Sequence, residues 1–295
     1  NKTVPDTYLY FSHFLDHFVM LIFAKAAYDA GLYFDLSYGE TIQLGTLGFV
    51  LFGLVSPLAA RLADYYSRSL LMVVFHFGIG ICAIAISFSQ TANHLFIGLA
   101  GLGAFASIFH PVGIAMLLKN SNKIGFRLGL NGVFGNMGVA AAPLMTGILI
   151  FYYDWRTAFF VSGVLCLIYG FLFSVSLRPE TSNDTKNDNI GDAVGFSEGW
   201  ALVLFALAIS TTVGGFIFAA VTFLIPRYFE VYMSNLSLSI AVTGILASLV
   251  YAFSSFSQVG VGWLIDRVSP KRVLFCMALG QIVFIFFASL FSDWI

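Results

Sequence analysis

The sequence predicts an all-α membrane protein with nine transmembrane helices, and three observations support this prediction. First, 59% of the residues are hydrophobic and only 10% are charged, whereas about a quarter of the residues in a soluble domain are charged. Second, the apolar residues fall in long runs, and a helix needs about 20 such residues to cross a bilayer. Third, one long polar segment, residues 178–198, divides these runs into six and three.

The apolar runs define the predicted spans. Their approximate bounds are 8–30, 40–60, 70–89, 94–118, 128–151, 156–177, 199–226, 236–260 and 272–291. The polar segment suggests two bundles joined by a linker on one side of the membrane. We therefore expect a six-helix N-terminal bundle at 1–177, a linker at 178–198 and a partial C-terminal bundle at 199–295. An ordinary long loop is the alternative interpretation of the linker.

The basic residues predict the orientation, because cytoplasmic loops of membrane proteins are enriched in Lys and Arg. With a cytoplasmic N-terminus, only Arg156 and Arg227 fall on the outer side. The inner segments collect Lys2, Arg61, Arg68, Lys119, Lys123, Arg127, Arg178, Lys186, Arg267, Lys271 and Arg272. Eleven basic residues against two favour a cytoplasmic N-terminus, and Lys25 is the basic residue left inside a span.

Several function classes lack support in the sequence. The net charge of −1 provides no basic surface for nucleic acid. There is no G-x-x-x-x-G-K-[ST] motif, so ATP-driven pumping is not indicated and we expect no cofactor. Cys82, Cys166 and Cys276 lie inside apolar segments in no C-x-x-C spacing, which favours packing roles over a disulfide or a thiolate metal site.

A short loop is repeated on the two sides of the linker. Residues 60–71, "ARLADYYSRSLL", join spans two and three, and residues 261–274, "VGWLIDRVSPKRVL", join spans eight and nine. Each copy places an aspartate, Asp64 or Asp266, shortly after a small residue, Ala60 or Gly262. Small residues let helices approach closely, and a carboxylate is favoured near a helix N-terminus. We therefore interpret both loops as conformational latches, with Arg68, Arg267 and Lys271 as basic partners.

The repeat resembles the major facilitator superfamily, whose loop between helices two and three carries G-x-L-A-D-R-x-G-R-R/K. In the first copy Asp64 and Arg68 match this motif, while Ala60 replaces its glycine and Ser69 its final basic residue. The second copy matches at Gly262, Leu264, Asp266, Arg267 and Lys271. The resemblance implies a twelve-helix bundle of two six-helix halves around a central cavity, working by alternating access. Nine spans fall three short, so we expect an incomplete C-terminal half, with a natural nine-span protein as the alternative.

The fifth span is similar to the glycine-proline helix common in the antiporters of this family. Residues 129–147, "GLNGVFGNMGVAAAPLMTG", space small or bending residues along the helix, where glycine permits close contact and proline bends the chain. The positions concerned are Gly132, Gly135, Gly138, Pro143 and Gly147. Plain close packing explains them equally well.

The fourth span departs from common drug antiporters, which carry an arginine four residues before a G-x-G pair. With the pair at Gly101 and Gly103 that position is Ile97. The span instead carries Phe109-His110-Pro111, which is similar to the fosmidomycin-resistance branch of the family.

The first span holds the main candidate site. His13, Asp16 and His17 follow i, i+3, i+4 spacing and share one helix face. Ionisable groups at membrane depth are costly and by default mark a cavity, a pair or a proton path. Asp16 and His110 both lie about 12 Å from the cytoplasmic boundary at 1.5 Å per residue. The family resemblance implies that the first and fourth helices line the cavity, so we expect the two residues to meet.

A carboxylate beside imidazoles can exchange a proton near neutral pH. We therefore predict that His13, Asp16, His17 and His110 couple transport to protons. The alternative interpretation of His13 and His17 is a helix-end pair that bonds backbone or headgroups. For His110 it is a bond to a carbonyl that Pro111 leaves free.

Other polar residues within the spans are weaker candidates. Lys25 and Asp29 form either a local ion pair near the outer end or a clamp for an anionic substrate. His76 is interpreted as a packing residue and His94 as solvated at the outer interface. In the seventh span, "AISTTVGGF" offers hydroxyls for substrate contact or for ordinary helix packing; these are Ser210, Thr211 and Thr212.

The leading functional prediction is a proton-coupled secondary transporter of a small solute, not an enzyme, with efflux favoured over uptake. We expect it to act as a monomer in the bacterial inner membrane. One alternative is a proton-coupled uptake symporter of an organic anion. Another is an intramembrane metal-binding protein that uses the two histidines and the aspartate of "HFLDH", although the leading prediction includes no metal. A transporter-like sensor without flux is the third.

Overall fold

The computed structural model describes residues 2–119, 124–179, 199–232 and 240–290. Most of the predicted linker, residues 180–198, lies outside these ranges. The helices in chain order are α1 Asp6–Phe34, α2 Tyr38–Gln43, α3 Thr46–Leu54, α4 Ser56–Tyr65, α5 Arg68–Ser87, α6 Ala92–Ala106, α7 Ile114–Leu118, α8 Ile124–Tyr152, α9 Trp155–Val175, α10 Trp200–Tyr232, α11 Ile240–Ile265 and α12 Pro270–Leu290. A π-helix at Phe109–Gly113 connects α6 to α7.

All nine predicted spans are present as helical segments of the described chain. The second span consists of α2, α3 and α4, and the fourth of α6, the π-helix and α7. Each of the other seven spans is a single helix. Eight segments are long and apolar enough to cross a membrane. The first span is not among the eight, because α1 has the length, 29 residues, but carries the histidines, aspartates and lysine noted above.

The helix ends follow local sequence signals. Ser37 caps α2 in a capping box with Glu40, and Asp154 caps α9 by accepting from the Thr157 backbone N–H. The first helix ends at Asp35, which adopts the left-handed conformation with φ 55°. Such signals satisfy backbone groups that a helix end leaves unpaired.

The first helix lies at the centre of the structure. Most of its side chains between Leu9 and Gly31 are buried, including the ionisable residues His13, Asp16 and Lys25. Helix α1 packs against α8 and α9, α5 packs on α9, and α3 packs on α6. The α3–α6 contact is close because Gly48 and Gly103 meet backbone to backbone. The polar residues of the first span are therefore enclosed by protein.

The two ends of the N-terminal bundle are joined by a short antiparallel pairing. Strand β1, Lys2–Thr3, pairs with β2, Arg178–Pro179, so that Lys2 stands opposite Pro179. The first two residues of the predicted linker therefore pair with the start of the chain. This pairing of four residues leaves the all-α class unchanged.

Helices α10 to α12 contact the preceding helices mainly through α11. Helix α11 packs along α8, whereas α10 and α12 expose many large apolar side chains. Examples are Phe205 and Phe216 on α10 and Phe275 and Phe284 on α12. Exposed apolar surface of this extent fits helices that face lipid.

Candidate functional site

The cluster around Asp16 lies where the first span meets the π-helix. Pro111 has no backbone N–H and so cannot make the regular i to i−4 hydrogen bond of an α-helix. The chain adopts a π-helical turn at Phe109–Gly113 there, and such turns are frequent at functional sites. This turn holds His110 with its Nε2 atom 3.5 Å from Oδ2 of Asp16. The two residues meet, as their equal depths predict, while their role in transport stays a prediction.

His13 and His17 extend the cluster along α1. The Nδ1 atom of His13 lies 2.7 Å from the Asn131 backbone carbonyl oxygen, and its Nε2 atom lies 3.1 Å from Nε2 of His17. A carbonyl oxygen only accepts, so Nδ1 of a neutral His13 carries the proton and Nε2 carries a lone pair. Nε2–H of His17 then donates to His13. This chain of bonds orders two rings and leaves Nδ1 of His17 as an acceptor.

Asp16 is fully buried, and neither of its carboxylate oxygens accepts a hydrogen bond from the described part of the chain. An ionised carboxylate in such a place is costly unless it is paired. Its nearest described cationic candidate is His110, whose side chain is 34% exposed. Either protonation of the Asp16 carboxylate or a cation bound beside it would compensate this buried charge.

Aromatic rings surround the imidazoles. Phe109 stacks on His13 with centroids 4.8 Å apart, Phe52 lies 5.5 Å from His110, and Phe218 lies 6.1 Å from His17. These rings come from the fourth, second and seventh spans. Sequence reasoning did not select Phe52, Phe218 or Asn131, because phenylalanine is common along the chain and nothing local distinguishes one that faces a cavity.

The glycines of the fifth span make room for α1. A Cβ atom on Gly135 would lie 2.6 Å from Cε1 of His13, and one on Gly138 would collide with the Phe14 carbonyl oxygen. Further along, Pro143 and Gly147 face α11 at Gly244. The fifth-span residues therefore serve close packing on two sides.

Lys25 is buried within the bundle rather than lying at its surface. It is 3% exposed, and its Nζ atom donates to Oγ1 of Thr243 on α11 at 2.9 Å. Lys25 is eight residues beyond His17, about 12 Å further along the helix. Asp29, one turn away, is only partly buried. The lysine links the first span to the eighth.

The hydroxyl residues of the seventh span lie apart from this cluster. Ser210, Thr211 and Thr212 are exposed. The Thr211 and Thr212 hydroxyls donate to backbone carbonyls of their own helix, at Leu207 and Ala208. These bonds lie within one helix and test neither substrate contact nor packing against another helix, so substrate contact by these residues stays a prediction.

The two repeated loops differ in their contacts. Asp266 accepts hydrogen bonds from the backbone N–H groups of Gly125 and Phe126, each at 2.9 Å, and so caps the N-terminus of α8. Gly262 lies against the same turn, where a Cβ atom would be 2.6 Å from the Gly125 carbonyl oxygen. In the first copy Asp64 and Arg68 are exposed. We call the end of the bundle where α8 begins the inner end.

In the second loop Arg267 contacts Trp263, one helical turn earlier. The Arg267 guanidinium lies 4.0 Å from the Trp263 ring centroid and donates to the Trp263 carbonyl oxygen at 3.3 Å. Lys271 is exposed.

An ion pair that the sequence did not suggest joins Arg127 of α8 to Asp6 of α1, and Arg127 also donates to the Leu117 carbonyl oxygen at 2.7 Å. The inner end is thus fastened by Asp266 and by Arg127.

Two further histidines lie outside the cluster. His76 is buried, and its Nε2 atom lies 2.9 Å from the Ser12 hydroxyl in an aromatic setting that includes Tyr169 and Phe173. His94 is exposed at the start of α6, where its backbone N–H donates to the Thr91 hydroxyl. Both positions fit the packing and interface interpretations.

Comparison with known proteins identifies the family of the chain. Residues 9–295 match the family model of the Major Facilitator Superfamily. Multidrug resistance protein MdtG from Escherichia coli O1:K1 / APEC is 24% identical over 233 residues, which cover 78% of this chain and 57% of MdtG. MdtG from strain K12 / DH10B gives the same values. The chain therefore spans a little over half the length of these curated relatives.

A solved structure has the same fold. The crystal structure of a bacterial homolog of the human lysosomal transporter Spinster, in an inward-facing and unoccupied conformation, aligns with a TM-score of 0.67 at 17% identity. The alignment covers 90% of this chain and 62% of that one.

Proposed function

Because the chain belongs to the major facilitator superfamily, we propose that it carries a small solute across a membrane by alternating access, coupled to protons, with efflux favoured over uptake. It is an integral membrane protein. We further propose that it resides in a bacterial inner membrane with its N-terminus in the cytoplasm, acts as a monomer and catalyses no chemical reaction. The observation that carries the proposal is the buried Asp16 carboxylate facing His110 at 3.5 Å.

Proton coupling is supported by what this cluster can hold. Asp16 is buried without a hydrogen-bond donor in the described residues, so protonation removes a costly charge. The connected rings of His13, His17 and His110 offer nearby sites for the same proton. A solute that competes with the proton for this site would leave as a proton binds, which is the exchange that proton-coupled efflux requires.

Alternating access is supported by the contact between α8 and α11. These helices belong to the two predicted halves and meet through small residues, Gly129 against Gly262 near the inner end and Gly147 against Gly244 further out. An interface of small residues can part without removing large side chains from pockets. The Asp266 cap is the proposed latch at the inner end of this contact. The Asp64–Arg68 loop, which is exposed, is proposed as a latch that does not act on the α8–α11 contact.

Efflux is supported by two observations. The multidrug resistance proteins named above are among the curated relatives that match, and the fifth span carries the glycine-proline pattern of antiporters. The aromatic rings of Phe52, Phe109 and Phe218 beside the cluster suit an amphiphilic solute.

Uptake of an organic anion is the second candidate, and Lys25 is the observation that favours it. A buried lysine bonded to Thr243 offers a positive charge in the bundle interior. A solute carboxylate could replace the threonine as its partner.

The first test uses full-length protein in proteoliposomes with an imposed pH gradient, screened with organic anions and amphiphilic drugs. We expect Asp16→Asn and His110→Ala to abolish gradient-driven transport but to leave solute exchange at equal pH, because exchange needs alternating access without net proton movement. His94→Ala is the matched control and should transport normally, since His94 is exposed and distant in the fold. Undiminished gradient-driven transport in both cluster variants would contradict proton coupling here.

A further inference from the structure

Three imidazoles converge on one point beside the buried carboxylate. One ligand atom each from His13, His17 and His110 lies within 4.8 Å of the others. We propose that these three residues form a binding site for a divalent transition-metal ion, with zinc as the best fit. The sequence interpretation of "HFLDH" as a metal motif used Asp16 as the third ligand, whereas the structure supplies His110 from the fourth span.

The donor atoms define the class of ion. Imidazole nitrogen suits zinc and its transition-metal neighbours, while Mg²⁺ and Ca²⁺ prefer oxygen ligands. Zinc binds imidazole nitrogen at about 2.0–2.1 Å, which places two nitrogens of a tetrahedral site about 3.3 Å apart. The Nε2 atoms of His13 and His17 are already 3.1 Å apart. Small side-chain rotations would bring the third nitrogen to a similar distance.

Two contacts fix the orientation of the His13 ring. His13 donates from Nδ1 to the Asn131 carbonyl oxygen at 2.7 Å, which leaves its Nε2 lone pair for an ion. Ligating histidines characteristically donate their second nitrogen in this way, and the bond fixes both tautomer and ring orientation. Stacking on Phe109, with centroids 4.8 Å apart, restrains the same ring.

Asp16 provides an independent indication of a cation. It is 0% exposed, and both of its oxygens lack hydrogen-bond donors within the described ranges. Its Oδ2 atom lies 3.5 Å from Nε2 of His110. A carboxylate behind a ligating imidazole is a recurrent arrangement at zinc sites, and a bound dication would compensate the buried negative charge.

The coordination sphere would remain open. Three protein ligands leave a fourth tetrahedral position, which in known sites takes water or an exchangeable group. His110 is 34% exposed at its side chain, so an ion can reach the cluster without unfolding the bundle. The inference concerns binding only and does not require the transport proposal to be correct.

The experiment is equilibrium binding of zinc to purified, chelator-stripped full-length protein in detergent. We expect one zinc ion per chain, no displacement by millimolar Mg²⁺, and weakening of at least about 100-fold in His17→Ala and in His110→Ala. That threshold exceeds the usual effect of losing an outer-shell partner, about 10–100-fold, which is the loss expected for Asp16→Asn. His94→Ala is the matched control and should bind as the unaltered protein does.

Several results would overturn the site. These are no zinc binding by the unaltered, chelator-stripped protein, or zinc binding that survives in both cluster variants. If an alanine variant fails to elute as a monodisperse species, Co²⁺ bound to the unaltered protein decides the question. Tetrahedral Co²⁺ absorption bands would support the site, and a purely octahedral spectrum would contradict it. Because binding is read without flux, zinc binding with failed proton-driven transport, or the reverse, separates this inference from the proposed function.

Discussion

The two faces of α8 show how one glycine-rich helix serves two different neighbours. On one face Gly135 and Gly138 receive His13 and the Phe14 carbonyl of α1, which lies in the same predicted half. On the other face Gly129 receives the Gln258 backbone of α11, which lies in the other half. The first contact builds the bundle and positions the histidine cluster. The second is the contact that alternating access would have to open.

The largest expected effect is on the α1 face. In Gly138→Val a Cβ atom would collide with the Phe14 carbonyl oxygen, a backbone atom that cannot rotate away. Overpacking typically costs about 1–3 kcal/mol, and we expect the upper end or more here. Size-exclusion chromatography and thermal unfolding in detergent should show loss of the folded species.

The matched control for that substitution is Gly53→Val. Gly53 lies inside α3, and a Cβ atom there meets nothing within 4 Å. The two variants share the cost of a β-branched residue in a helix, so their difference reports the α1–α8 contact. Equal melting temperatures for the two variants would show that this contact does not hold the bundle together.

The two faces of α8 also show which contacts the sequence could not predict. The spacing of Gly135, Gly138, Pro143 and Gly147 predicts close approach, but one sequence pattern cannot say which neighbour each position meets. That assignment depends on helix rotation and on tertiary contacts far apart in sequence. Only the structure shows that Gly135 lies against His13 and Pro143 against Gly244.

The Asp16–His110 pair was within reach of the sequence for a different reason. Both residues are costly in lipid, helix geometry fixes their depth, and the family resemblance implies that the first and fourth spans line one cavity, so these together predict a meeting. The role of Asn131 was not predictable, because its backbone carbonyl rather than its side chain bonds His13. The breaks between α2, α3 and α4 were not predicted, although Gly45 at the start of α3 and Pro57 in the first turn of α4 are local signals for them.

An intermediate effect is expected on the α11 face. In Gly129→Val a Cβ atom would lie 2.8 Å from the Gln258 carbonyl oxygen, so α8 and α11 should separate near the inner end. We expect a smaller loss of thermal stability than for Gly138→Val, because this interface is proposed to open during transport. Spin labels at the exposed residues Ile124 and Ile265, in a background without native cysteines, should report a longer distance by pulsed electron resonance.

Gly132→Val provides the control on the same face. Its Cβ atom would meet Oε1 of Gln258 at 3.0 Å, a side-chain atom that can move aside. The label distance should therefore stay close to that of the unaltered protein. A longer distance in Gly132→Val but not in Gly129→Val would mean that the α8–α11 contact is governed by side chains rather than by backbone approach.

The smallest effect is expected at the two repeated loops, where the difference between the copies can be measured directly. Asp266→Ala removes the carboxylate that accepts from Gly125 and Phe126, and losing such a helix cap costs about 1 kcal/mol. That energy corresponds to roughly a fivefold fall in the equilibrium constant for closing the inner end, readable from the same Ile124–Ile265 labels. Asp64→Ala should leave this distance unchanged, because Asp64 is exposed in the described structure. If both substitutions shifted the distance equally, the loops would act on the inner end through their charge alone, and the cap on α8 would not be the latch.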